Sequence, residues 1–497
     1  MRMSKQFQAR TPSAGPASRL AVRNHPAWIL LIAVSLAAVL IVPGGSAQRA
    51  PQEPITTTAA ERNAALIAAT QEVLKETSEV RQLAILRPVQ SSTQSRAEIE
   101  RAIMKNLDEE ITPADMHAAE VTLKKLALAP PDFQYRALMI RLLTEQVAGY
   151  YEPKTRQFYL ADWIDIDGQK PIMAHELTHA LQDQHFNLRR FDHWPKGDSD
   201  AELAAHALIE GDATLTMAIY VASNPFRVLT FLKSIGAMGI ATEELDKAPR
   251  ALRETLLFPY QEGMNWTREL YKQGGWPKVS EAFTALPQST EQVLHTDKYF
   301  AHEIPVKVTL PDLTSLLNAT SQKSGVRRRK SKVRSQRSEA GSQRSVSGSK
   351  ASAPGSQPPA SWKKLASDVN GEWGFYLILD QFLKSPVESR RAAAGWGGDR
   401  TAIYESSKGE VLYVSLSTWD TENDAREFFD AYVKRTQLRY PAATTLTDSQ
   451  RGVPGVQIFR TPEGVAAVEL RGSRVTFVEG LTGKPGIDAL LKALRQN

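Results

Sequence analysis

Between Thr320 and Ser361 the sequence holds ten Lys or Arg, a single acid (Glu339) and no aromatic residue. Such a stretch cannot bury enough apolar area to offset its ordering entropy, so it predicts a disordered basic linker over 320–361. The chain can then fold only as bodies on either side of that linker. Nine Trp and 29 Phe or Tyr give those bodies ample material for cores.

The net charge of +6 is misleading when read over the whole chain. Residues 1–47 carry five basic residues and no acid, and the linker contributes +9; removing both leaves −8 for the rest. The folded part is acidic, which removes the main support for a nucleic-acid partner. A solvated spacer is the plain reading of the linker, and contact with an anionic envelope surface is the functional one. Cysteine is absent, which excludes disulfides, thiolate metal sites and thiol nucleophiles.

Ala27 to Val42 is apolar apart from Ser35, follows five positive charges and precedes Pro43-Gly44-Gly45-Ser46-Ala47. That order predicts an export signal over 1–47, cleaved after Ala47 or retained as an anchor through 27–42. Either outcome places the body outside the cytoplasm, in the cell envelope or beyond. Residues 48–60 read as a tether. Apolar positions then recur at helical spacing up to Ala148, punctuated by Pro88, Pro113 and Pro130-Pro131, which predicts three or four helices. Tyr150–Leu160 reads as two short strands around Glu152-Pro153-Lys154-Thr155. A helix opening at Pro171 and helices over 200–220, 226–238 and 247–258 follow. The expected fold is α+β: a mainly helical body over 61–319 with a short sheet, then a small α+β domain over 362–497. In the latter, Gly395-Trp396-Gly397-Gly398 reads as a turn that lets Trp396 pack, since no phosphate-binding unit follows it.

The chemistry concentrates in His175-Glu176-Leu177-Thr178-His179. Two histidines four apart lie ~40° apart around a helix, so both rings can reach one zinc ion. Glu176, beside the first, can take a proton from water activated by that ion and pass it to a leaving amine. Zinc needs a third protein ligand. His185 imitates a three-histidine pattern, but Gln182 stands where the chain would need Gly to turn back. Glu202, His206 and Glu210 form a stripe at i, i+4 and i+8 on the next helix. Glu210 leads among them, with Glu202 second, while His206 and Asp212 are placed to orient ligand imidazoles. Gly211-Asp212-Ala213 should let this helix approach the histidine helix closely. For the oxyanion donor, His295 is the first choice, then Tyr299, Tyr150 and Tyr151.

His-Glu-Leu-Thr-His followed by Glu210-Gly211-Asp212-Ala213 resembles the zincin metallopeptidases of the gluzincin type, over roughly 130–300. The resemblance implies His175, His179 and Glu210 as ligands of one zinc ion, Glu176 as general base, and a peptide or protein substrate. It also implies that the strand region Tyr150–Asp162 presents an edge to an extended peptide. Thr214 departs from the pattern, in which an acid commonly follows the glutamate ligand by four. Two functions follow as expectations: an exported zinc-dependent peptidase, or a non-catalytic envelope binding or scaffold protein that retains the fold.

Overall fold

The computed structural model describes residues 58–319 and 361–496, apart from 147, 164, 195–196, 239–242, 447–454 and 484. The export signal, most of the tether and nearly all of the basic linker lie outside the described residues.

The first part is helical. Helices α1 (Ala59–Arg81), α2 (Arg96–Glu110), α3 (Pro113–Lys125) and α4 (Tyr135–Gln146) are joined by β1 (Gln90–Gln94) and followed by β2 (Gly149–Glu152) and β3 (Gln157–Ala161). Thr58 and Ser95 close capping boxes with Glu61 and Glu98, which fixes where α1 and α2 begin. Strands β2 and β3 form an antiparallel hairpin, and β1 adds to β3 in parallel, so β2 is an edge of a three-stranded sheet. β1 is a strand the periodicity does not predict, because Gln-Ser-Ser-Thr-Gln has no apolar alternation and owes its form to its partner.

Next come α5 (Lys170–Phe186), α6 (Ser199–Ala222), α7 (Pro225–Met238), α8 (Glu243–Lys247), α9 (Arg250–Ala282), α10 (Thr290–Leu294) and α11 (Thr296–Phe300). The expected helix over 247–258 is the start of the much longer α9, which is broken at Gly274 and Gly275, where the backbone leaves helical angles. α5 is buried on every side from Pro171 to Asp183, although that stretch carries His175, Glu176, His179, Gln182 and Asp183 among its apolar residues. No helix among the described residues is long and apolar enough to cross a membrane.

α6 lies between α5 and α9, and its small residues serve α9. A Cβ on Gly211 would stand 2.3 Å from the backbone of Gly263, and one on Gly263 would stand 2.3 Å from the Ala207 carbonyl oxygen. This corrects the expectation for Gly211: it permits close approach to α9, and not to the histidine helix.

The second part is a seven-stranded antiparallel sheet with helices: β4 (Trp362–Asp368), α12 (Gly371–Leu383), α13 (Pro386–Ala393), β5 (Trp396–Ser406), β6 (Val411–Trp419), α14 (Glu422–Arg439), β7 (Thr444–Leu446), β8 (Val456–Thr461), β9 (Gly464–Arg471), β10 (Arg474–Leu481) and α15 (Ile487–Leu494). Strand order is β4-β5-β6-β10-β9-β8-β7. Strands β9 and β10 are joined by a tight turn at Gly472, where φ is positive. Trp396 is buried and its indole N–H donates to Asp399 at 3.0 Å. One apolar cluster joins the two parts, with Leu208, Phe258 and Trp266 contiguous with Trp373, Phe428 and Phe477. Leu313 and Leu317 pack on the other face of the sheet with Tyr404 and Leu412.

Candidate metal centre

α5 carries His175 and His179 on one face, and α6 brings Glu210 against them. Nε2 of His175 lies 3.1 Å from Glu210 Oε2, Nε2 of His179 lies 3.4 Å from it, and the two Nε2 atoms are 3.2 Å apart. Four ligands at the bond lengths zinc prefers stand ~3.3–3.4 Å from one another around a tetrahedron. The three atoms therefore describe one face of such a tetrahedron, and the donor set, two imidazoles and a carboxylate, is one that zinc accepts.

The charges in this cluster reinforce one another. Burial works against an imidazolium at His179, but Glu210 beside it outweighs burial and raises the ring's pKa to about 9. Burial alone would raise Glu210, yet His179 and His175 hold its carboxyl well below the usual range. Burial pushes His175 down, with His179 adding to the effect. One proton is thus held among three converging lone-pair donors, where a cation would be equally well accommodated.

A second layer fixes His179. Its Nδ1 donates to Gln182 Oε1 at 2.9 Å. The Gln182 amide nitrogen donates to the Ile209 carbonyl at 3.0 Å and to Asp212 at 2.9 Å. Asp212 in turn is paired with Arg81 Nε at 2.5 Å, both side chains fully buried. The Arg81 guanidinium stacks on Trp276 with 4.6 Å between them. His175 has no such support, since its Nδ1 is buried without a hydrogen-bond partner.

Glu176 sits beside the first histidine, and its Oε2 accepts the Tyr151 backbone N–H at 3.0 Å. That N–H belongs to β2, so the sheet edge is anchored to the carboxylate. Tyr260 of α9 stacks on His175 with ring centroids 6.1 Å apart. Burial, with Glu210 and Glu176 close by, pushes its phenol well above the usual range. Tyr260 and Arg81 are absent from the sequence reading, and Gln182 enters it only as the residue that stands in place of a turn glycine. Gln182 had a signal, because seven residues after His175 it falls on the same face of an otherwise apolar helix.

The other residues singled out in the sequence are placed elsewhere. His295 Nε2 lies 2.9 Å from Glu372, and Glu372, Glu291 and Lys298 are the charges that act on its ring; the three converging ligand atoms come from His175, His179 and Glu210. His185 lies 2.7 Å from the Ala84 carbonyl at the surface. His206 Nδ1 donates to the Glu202 carbonyl, and Glu202 stands two turns of α6 away from Glu210. Tyr299 donates to Ala285, and Tyr150 to Gln94. A second convergence of acids, Glu291, Glu303 and Asp420, is filled by the Lys298 ammonium.

Residues 361–490 match the family described as Domain of unknown function (DUF8575). No curated protein and no solved structure matches the chain.

Proposed function

We propose that this protein is a zinc-dependent hydrolase of peptide bonds with a zincin-like active site, in which His175, His179 and Glu210 hold one zinc ion. The observation that carries the reading is the triangle of Nε2, Nε2 and Oε2 atoms with sides of 3.1, 3.2 and 3.4 Å. When bound, zinc supplies Lewis acidity and lowers the pKa of its water.

This chain's own residues account for the rest. Glu176, held by the Tyr151 N–H, takes the proton of the attacking water and returns it to the leaving amine. Tyr260 retains its hydroxyl proton and offers a donor where negative charge develops, the role the sequence reading gave to His295. Gln182 keeps the His179 ring turned with Nε2 toward the ion. His175 and Glu176 have no exposed surface, so a peptide reaches them only after neighbouring structure, α9 with Tyr260 or the β2 edge, moves aside.

That burial is also what favours a second reading, a binding or scaffold protein that holds the metal and does not cleave. Glu176→Gln separates the two. On the hydrolase reading the variant keeps its zinc and loses at least 100-fold in cleavage of an unfolded protein substrate. Stoichiometric zinc in a wild-type protein that cleaves no unfolded protein supports the scaffold. Residues 1–47 support export to the cell envelope in either case, and the basic 320–361 segment supports adhesion to an anionic surface there.

A further inference from the structure

Where the two parts meet, α3, α6 and α9 of the first and β4, α12 and β5 of the second surround a cavity of about 280 Å³. Native cores are packed as densely as organic crystals and leave few voids larger than a water molecule. A space of this size is therefore filled by water or shaped for a ligand. Water held in a cavity needs several polar partners, and this one offers few. Leu123, Leu203, Leu377 and Ile403 are among its walls. Polar side chains on the wall are spent on the protein itself: the Thr122 hydroxyl donates to the Ala118 carbonyl at 2.7 Å, Thr255 to the Ala251 carbonyl at 2.8 Å and Ser367 to the Thr401 carbonyl at 2.8 Å.

The charges on the wall select against ions of either sign. Among the described residues no Lys, Arg or His lines the cavity, so an anion finds no counter-charge there. The acids that line it are Asp115, Asp200 and Asp368, and each is held by donors of the protein. The Thr112 hydroxyl donates to Asp115 at 2.6 Å, the Thr290 N–H to Asp200 at 3.1 Å and the Ser199 N–H to Asp368 at 2.9 Å. Burial pushes Asp200 well above the usual carboxyl range and raises Asp368 too, which weakens any hold on a cation. Trp373 is different. It lines the cavity, it is 5% exposed, and its indole N–H is buried without a hydrogen-bond partner. An indole only donates, so what satisfies it is an acceptor.

We infer that this cavity binds a neutral aliphatic molecule with an acceptor oxygen, a ketone or an ester, whose chain lies against the leucines and whose oxygen takes the Trp373 N–H. An apolar cavity of ~150 Å³ holds benzene, so by proportion this one takes about eleven non-hydrogen atoms. Because its walls come from both parts, the bound molecule also ties the second part to the first. Leu203, the lining residue of α6 nearest to Glu210 in sequence, stands ~10 Å along the helix from it. The site is therefore separate from the metal centre, and the inference does not require that peptide bonds be cleaved.

The test is calorimetric titration of the full chain with 2-nonanone, with nonanoate and nonylammonium as charged analogues of similar length. The expected result is at least tenfold tighter binding of the ketone than of either ion. Ala119→Phe, which fills part of the cavity from α3, should abolish ketone binding, and Trp373→Phe, which removes the indole donor, should weaken it about fivefold. Binding of either ion as tightly as the ketone, or binding of none of the three, overturns the proposal. Unchanged ketone affinity in Ala119→Phe overturns the choice of cavity, and unchanged affinity in Trp373→Phe overturns the placing of the oxygen. If a variant does not fold, the wild-type ranking decides alone.

Discussion

The Nδ1 of His179 and the amide oxygen of Gln182 stand 2.9 Å apart, and the orientation of that amide is not free. Its nitrogen faces two acceptors, the Ile209 carbonyl and Asp212, so its oxygen must face the ring. An oxygen there only accepts, which puts a proton on Nδ1 and turns Nε2, the atom that would coordinate a metal in the proposed centre, toward His175 and Glu210. Replacing Gln182 with Leu removes this constraint while keeping the volume. Zinc affinity should fall about 10–100-fold, measured by competition with a chelator of known affinity. Unchanged affinity would mean that packing alone orients the ring.

Arg81 and Asp212 form a fully buried pair that holds Gln182 in turn. Arg81→Met leaves Asp212 buried without its cation. A loss of ~3–5 kcal/mol is expected in denaturant unfolding, with weaker zinc retention as a consequence. A loss below ~1 kcal/mol would show that water reaches Asp212 and replaces the guanidinium.

Gly211 and Gly263 bring α6 and α9 into backbone contact, and α9 carries Tyr260. Gly211→Ala places a methyl group 2.3 Å from the Gly263 backbone, where no flexible side chain can yield. Overpacking of this kind costs ~1–3 kcal/mol or more. The variant should melt lower than wild type, and its Tyr260 hydroxyl should be displaced from Glu210. A variant as stable as wild type would contradict the close approach.

Glu202 gives a pH dependence whose sign can be worked out. Burial pushes its carboxyl up to about 9, with Asp368 and Asp198 adding to the effect. In the unfolded chain the value is ~4.3. The folded state therefore holds a proton that the unfolded state releases between those limits. Stability from this group is whole below pH ~4.3 and declines as pH rises toward 9. Glu202→Gln should lose less unfolding free energy than wild type between pH 5 and 8.5. Parallel profiles for the two proteins would show that Glu202 ionises freely in the fold.

Much of the candidate metal centre was legible because it rests on helix geometry. His175 and His179 share a face through spacing alone, and Glu210 stood on a stripe of ionisable residues that an apolar helix would not otherwise carry. What the sequence could not show depends on which helices meet. Tyr260 reaches the centre across the Gly211–Gly263 contact, and Arg81 reaches Asp212 from a helix 131 residues earlier. The partner of His295 was hidden for the same reason, since Glu372 comes from 77 residues later, beyond the basic linker. In the sheet, β6 was readable from its apolar run, whereas β5, with Gly, Asp and Arg at its start, is a strand because β4 and β6 pair with it on both sides.

Whether Glu210 or His185, ten residues after His175, completes the ligand set is a direct question of chemistry. Glu210→Gln and His179→Ala should each abolish zinc retention, while His185→Ala, at the surface against Ala84, should leave it intact. Loss of zinc in His185→Ala alone would move the third ligand to that histidine.

The central claim is that three named atoms grip one ion. Anomalous diffraction at the zinc edge, from crystals of protein grown with zinc and washed free of excess, measures that claim most directly. One strong peak at full occupancy is expected, ~2.0–2.1 Å from His175 Nε2, His179 Nε2 and Glu210 Oε2. No peak at that position, or a peak beside Glu291, Glu303 and Asp420 in its place, would contradict it.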